Sequence, residues 1–137
     1  MLQIINCLCK SSNLSKKSDF ENLINNDETL LNNLFYYKHP KTGDCFIHYL
    51  VRSGNLNLLK FIYSNYSSVY PNNYFEFSNN DGKTALHEVK NFAIFTRYDC
   101  NKIVLKQKAC QFSHYEMVVY LIENLNLNIN KLRKGDW

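Results

Sequence analysis

The chain has 137 residues and a mass of 16.2 kDa, enough for one domain that buries roughly two thirds of its unfolded surface, and too little for a multidomain assembly. A hydrophobic share of 45% against 20% charged argues against both a disordered tail and a membrane protein. The 16 basic and 12 acidic residues leave +4, too mild a charge to argue for a nucleic-acid partner without a basic stripe.

Five cysteines are an odd number in a chain too large and apolar to need stapling, which reads as free thiols in a reducing compartment. Asn occurs 20 times against 4 Gly and 2 Pro, so Asn is expected at turn and left-handed positions that Gly otherwise fills.

In chain order, Met1 to Cys9 is apolar but short, has no positive leading region and runs into Lys10-Ser11-Ser12. It reads as an amphipathic helix rather than a secretion signal. Leu2, Ile4, Ile5 and Leu8 form one apolar stripe and Phe20, Leu23 and Ile24 another, with Ser11-Ser12-Asn13 between them, so residues 1–26 read as a helical hairpin. Glu28 to Tyr37 continues apolar at Leu30, Leu31, Leu34 and Phe35, a loop containing a short helix. No stretch approaches the ~20 apolar residues of a spanning helix. We therefore expect a soluble protein, cytoplasmic and open also to the nucleus.

A repeat then becomes visible. Thr42-Gly43-Asp44-Cys45-Phe46-Ile47-His48 aligns without a gap on Asp81-Gly82-Lys83-Thr84-Ala85-Leu86-His87, so that His48 falls on His87. Each is a turn followed by a short helix start and a His. After His48, Tyr49 to Asn55 and Leu56 to Ile62 read as a short helix, a turn at Gly54 and a second amphipathic helix. After His87 the second helix, Tyr115 to Glu123, arrives late.

The segment Asp81 to His87 resembles the D-G-x-T-P-L-H opening of an ankyrin repeat. His114 to Ile122 resembles the family's second helix, and Asn128-Ile129-Asn130 its exit. The resemblance covers residues 40–137 and implies an all-α fold, a solenoid of stacked helix-turn-helix units joined by short hairpin turns. Residues 1–39 would be N-terminal capping helices, 40–80 the first repeat and 81–133 the second. Residues 134–137 would start a truncated third repeat, because the chain stops just before the Thr-Pro-Leu-His expected there.

Against a family period of about 33 residues, both units are long. The first gains about six residues in the loop from Ser64 to Asn80, expected to be an extended surface loop. The second carries an insertion at 93–112 between its two helices, holding Arg97, Lys102, Lys106 and Lys108 against Asp99 alone. It reads as a binding loop, a tolerated disordered loop, or a retained intron in a gene model.

No catalytic, cofactor-binding or metal site is expected. Around His48 and His87 there is no His-x-x-x-His, no paired Cys-x-x-Cys and no Ser in a strained elbow. Cys7-x-Cys9 lacks zinc spacing and reads as two cysteines on a helix, one facing the core. Cys100 and Cys110 lie in the insertion with no cue for a lowered pKa. The resemblance implies instead that His48 and His87 are structural, each ring bonding the backbone of a neighbouring turn, with Gly54, Gly82 and Thr84 as further structural positions. Phe20, Phe61 and Tyr120 fall at core spacing. Tyr66, Tyr70, Tyr74 and Phe75 cluster in one loop, packing on the solenoid or on a protein partner rather than stacking nucleic-acid bases.

The expected function is a non-catalytic protein-protein interaction module, an adaptor or scaffold. Its partner would be another protein met through hairpin tips and first-helix positions: Asp44, Tyr49, Arg52, Asn80, Asp81, Lys83, Glu88, Lys90 and the single Trp137. Resemblance to longer all-ankyrin proteins leaves open a regulatory cofactor of an enzyme such as an aminoacyl-tRNA synthetase. An RNA-binding module acting through the basic insertion is the third reading. No membrane partner is expected, nucleic acid is disfavoured, and the chain should be a monomer unless its open C-terminal face self-associates.

Overall fold

The computed structural model describes residues 1–10, 18, 20–22, 27–88 and 109–127, with only the backbone of Lys10 and of residues 109–115. All regular structure among them is helical, apart from one isolated antiparallel bridge between Lys38 and Cys45. None of these helices is long and apolar enough to cross a membrane.

Helix α1 (Leu2–Lys10) forms where apolar residues recur at helical spacing, and it buries Ile5 and Leu8. Residues 18 and 20–22 are again helical, with Phe20 wholly buried. Helix α2 (Glu28–Phe35) starts at Asp27, whose carboxylate accepts the Leu30 N–H at 3.0 Å, and buries Leu31, Leu34 and Phe35. The short helix expected within Glu28 to Tyr37 thus takes up most of that segment.

Helix α3 (Phe46–Arg52) is the centre of the molecule: only Tyr49 and Arg52 of its seven residues escape full burial. Gly54, at φ +69°, ends it. Asn55 then caps α4 (Leu56–Asn65) by accepting the Leu58 N–H at 3.2 Å. The packing order is α1 on α3, α3 on α4, and α4 on α5 (Ala109–Glu123), which presents Met117 and Leu121 to the core. Residues 85–88 are helical as well. Two Asn residues take the left-handed backbone expected of this composition, Asn73 and Asn126. At Asn126 the chain turns so that the Leu127 N–H reaches the Leu121 carbonyl at 3.2 Å, closing the end of α5.

Two sequence expectations need correction. The segment Ser64 to Asn80 is no extended surface loop: it folds through a 3-10 turn (Tyr74–Glu76) that buries Tyr74 and Phe75. Phe35 meets Tyr66, Tyr70 and Tyr74 at ring-centroid distances of 6.2, 5.9 and 5.6 Å, and Phe20 meets Tyr66 at 5.5 Å. The physical reason is area, since each large ring removes far more apolar surface from water than the polar Asn and Ser beside it expose. The insertion, placed at 93–112, gives up its last four residues to α5, which begins at Ala109. Residues 93–108 lie outside the described residues, as do 128–137 with the expected third-repeat turn.

Among the described residues Tyr74 is the largest wholly buried side chain, and its hydroxyl points toward the Ile47 backbone without a well-formed hydrogen bond. Tyr74→Phe should therefore be neutral or stabilising by up to about 1 kcal/mol, whereas Tyr74→Ala should cost about 3–5 kcal/mol. Urea unfolding of both variants checks this, and a Phe variant as damaged as the Ala variant would refute it.

Candidate functional site

The site begins with two turns that stack. In the first, His39 donates its N–H to the Asp44 carbonyl at 2.9 Å, and the Gly43 N–H returns to the His39 carbonyl at 2.8 Å. The His39 ring accepts the Lys41 and Thr42 N–H groups through Nδ1, both at 3.2 Å. In the second, the Asn79 N–H bonds the Lys83 carbonyl at 2.9 Å while its Oδ1 accepts the Asp81 and Lys83 N–H groups, both at 3.0 Å.

The turns meet through backbone and side-chain amides. The Asn80 N–H donates to the Thr42 carbonyl at 2.9 Å, and Asn80 Nδ2 donates to the Lys41 carbonyl at 3.0 Å. Gly43 makes this approach possible. Its φ is +70°, and a Cβ there would lie 2.9 Å from the Asn80 backbone nitrogen.

Each turn leads into a helix through the same device. The Cys45 N–H donates to His48 Nδ1 at 3.0 Å, and at the matching place in the second unit the Thr84 N–H donates to His87 Nδ1 at 3.2 Å. An imidazole three residues into the helix thereby satisfies the amide at its start. His48 does more, because its Nε2 lies 2.9 Å from the Lys83 carbonyl. With Nδ1 occupied as acceptor, Nε2 carries the proton and donates. One wholly buried ring thus closes its own helix and grips the next turn. Burial pushes its pKa down, outweighing the Lys83 carbonyl and the Asp44 and Glu88 charges that push it up.

Beside the ring, Arg52 ties three elements together. Its Nη2 bonds Asp44 Oδ2 at 2.8 Å and its Nε bonds Glu88 Oε2 at 2.9 Å, while Asn79 Nδ2 donates to Asp44 Oδ1 at 2.8 Å. The two carboxylate side chains are 6% and 8% exposed, against 31% for the arginine. Burial opposes the guanidinium charge, but Glu88 and then Asp44 outweigh it and raise the Arg52 pKa further. Burial likewise raises Asp44, yet hydrogen bonds from Asn79 and Arg52 hold it below the ordinary carboxylate value.

Three proposed partner contacts are corrected by this arrangement. Asp44 and Glu88 are buried and Arg52 is half-buried, because together they join the turns instead of facing outward. Asn80 and Asp81 stand exposed at the second tip. Lys83 is half-buried, with its carbonyl committed to His48. Tyr49 is half-buried, its ring centroid 5.4 Å from the Arg52 guanidinium. Lys90 and Trp137 lie outside the described residues. Gly54 and Gly82 have positive φ, Thr84 is buried, and the Thr84 hydroxyl lies 2.8 Å from the His87 ring.

His39 is a member of the site that the sequence motifs do not pick out. The ionic cluster leaves no local signal, because Asp44 lies before α3, Arg52 closes it, and Glu88 belongs to the second unit. The network is particular to the first unit, since the alignment of His48 with His87 sets Asp44 against Lys83 and Arg52 against Asn91.

Next to Arg52, an open groove of about 370 Å³ is lined by Asn6 and Cys9 of α1, by Tyr49 and Arg52 of α3, and by Ser53. It offers amide, thiol, phenol, guanidinium and hydroxyl groups. Among the described residues no three His, Cys, Asp or Glu side chains gather where they would hold a metal ion. No family model, curated protein or solved structure matches the chain.

Removing Arg52 strands two buried carboxylates, so Arg52→Met should lower the unfolding free energy by about 2–4 kcal/mol. Arg52→Lys should recover less than half of that, because one ammonium does not reproduce two separately aimed N–H groups. The depressed Asp44 pKa stabilises the fold above the ordinary Asp value of about 4, and that contribution disappears as pH falls through the lower folded value. Asp44→Asn should flatten this acid limb in urea melts between about pH 5 and pH 2. An unchanged limb would show that Asp44 does not shape it.

Proposed function

We propose that the chain is a stretch of ankyrin-type solenoid that binds another protein and performs no chemistry on it. The observation that carries the reading is the paired imidazole device. His48 and His87 occupy equivalent places in the two units, each closing its helix through Nδ1, and His48 reaches on to the second turn. Turns locked edge to edge in this way suit a rigid recognition ridge.

The binding face is formed by the exposed tips and the neighbouring groove. Lys41, Thr42, Asn80 and Asp81 are exposed, and Asn6, Tyr49 and Ser53 line the groove. Rigid presentation reduces the entropy lost on association, and Tyr49 supplies a fixed amphipathic ring of the kind that anchors interfaces. Regulation of an enzyme or binding of RNA through the basic insertion would depend on residues 93–108, outside the described residues.

The test is quantitative binding of a partner captured by the full chain and then purified. Asn6→Lys, Tyr49→Ser and Asp81→Lys should together weaken the complex by about tenfold or more while leaving the melting midpoint within about 3 °C. Control changes at exposed Asn57 and Ser64 on α4 should leave affinity unaltered. Equal affinity in the groove and tip variant, with loss in the α4 variant, would place recognition on the other face. A complex whose affinity falls steeply with salt and competes with RNA would favour the nucleic-acid reading instead.

A further inference from the structure

The contact between the two turns depends on a histidine in one protonation state. His48 is wholly buried, and both ring nitrogens are committed: Nδ1 accepts the Cys45 N–H at 3.0 Å, and Nε2 donates to the Lys83 carbonyl at 2.9 Å. A second proton would have to enter at Nδ1. There it would set N–H against N–H, leaving the Cys45 amide without its acceptor in a buried place. No water replaces the lost bond at a ring with 0% exposure.

We propose that this junction is an acid-sensitive latch: protonation of His48 expels the ring from its buried place, so that the first turn gives up both the Cys45 bond and the grip on Lys83 and parts from the second, while α4 keeps its own hydrogen bonds. The proposal concerns the junction alone and stands whether or not the exposed ridge binds a protein.

The surrounding charges set the balance. From the first turn Asp44 faces the ring, from the end of α3 Arg52, and from residues 85–88 Glu88, two carboxylates against one guanidinium. The carboxylates favour a proton on the ring and the guanidinium opposes it. They are already paired with Arg52 at 2.8 and 2.9 Å, however, so their pull is largely spent. On the other packed helices, Cys7 of α1 is exposed, and on α4 the Lys60 ammonium lies over the Tyr120 ring at 5.4 Å and the Tyr63 ring against Phe75 at 5.8 Å. Burial is the largest influence and holds the ring neutral in the folded state.

The direction of the effect follows from linkage. A folded-state pKa below the ordinary imidazole value of about 6.5 means that the opened state binds the proton better. Closure is therefore fully favoured above about pH 7.5 and weakens as pH falls through 6.5. Between pH 7.5 and 5.5 the bias against closure is at most about tenfold, the ratio of total to neutral imidazole once the ring is released. Asp44 titrates lower, its pKa being below the ordinary carboxylate value, so this window belongs to histidine.

Amide hydrogen exchange and imidazole nitrogen NMR on the full chain test the latch. At pH 7.5 the His48 ring should show an unprotonated Nδ1 and a protonated Nε2. On lowering the pH to 5.5, protection of the Asn80 amide, which bonds Thr42 across the junction, should fall by up to about tenfold after correction for intrinsic exchange. The Leu59 amide, bonded to Asn55 within α4, should keep its protection. His48→Gln should show weaker Asn80 protection at pH 7.5 and no dependence on pH from 7.5 to 5.5. The proposal is overturned by a protonated Nδ1 at pH 7.5, by Asn80 and Leu59 losing protection together, or by His48→Gln retaining the pH dependence. Should that variant fail to fold, the two wild-type readings decide alone.

Discussion

A wholly buried imidazole that must accept at one nitrogen and donate at the other fixes the relation between the two turn-helix units. His48 has no solvent to fall back on, so the Cys45 amide and the Lys83 carbonyl must lie where they do, 3.0 and 2.9 Å away. Placing Lys83 sets Asn79 through their shared backbone bond. Placing Asn79 in turn brings Asn80 against Thr42 and Gly43. Hydrophobic packing is largely indifferent to small slides between helices, whereas this chain of directional bonds is not. The core supplies the driving force and the ring supplies the register.

The ionic cluster beside the ring reinforces that register. A guanidinium with two separate N–H directions joins the first turn to the helix opened by the second, with each carboxylate nearly out of water. Buried charge is a poor source of net stability, so the value of Arg52 lies in penalising misplaced arrangements, each of which strands a carboxylate. The aromatic segment after α4 adds a rigid part of the core. Phe35, Tyr70 and Tyr74 pack ring against ring, with centroids 5.6–5.9 Å apart, instead of through flexible aliphatic chains. The neutral ring and the charged clamp thus hold the same junction by different means, the clamp drawing on an Asp44 carboxylate that stays charged below the ordinary carboxylate value.

Much of this architecture is legible in the sequence alone. The spacing of His48 and His87, Gly54 as a helix stop, and Asn at left-handed positions all follow from local rules of backbone geometry, and local rules act over a few residues. What escapes such rules is non-local. Asp44 and Glu88 are hydrophilic residues beside turns, which by composition belong outside. Their burial depends on Arg52 arriving from another element, and one chain read alone holds no record of that pairing. The Tyr-rich segment is half legible: its Asn and Ser content marks a loop in path, while its ring cluster is expected to pack either on the fold or on a partner. Whether its rings point at water or at Phe35 is decided by a neighbour on a different helix, distant along the chain. The helical start at Ala109 is hidden because a run of mixed polarity shows no clear period.

The two units are held in one fixed relation by side chains that bond across them. A double-mutant cycle between Arg52 in the first unit and Glu88 in the second measures this most directly, using Arg52→Met, Glu88→Met and the double variant in urea unfolding at pH 7.5. The expected coupling is about 1–3 kcal/mol, with the double variant losing clearly less than the sum of the singles. Additive losses, agreeing within about 0.5 kcal/mol, would contradict it by showing that the units do not meet through this contact.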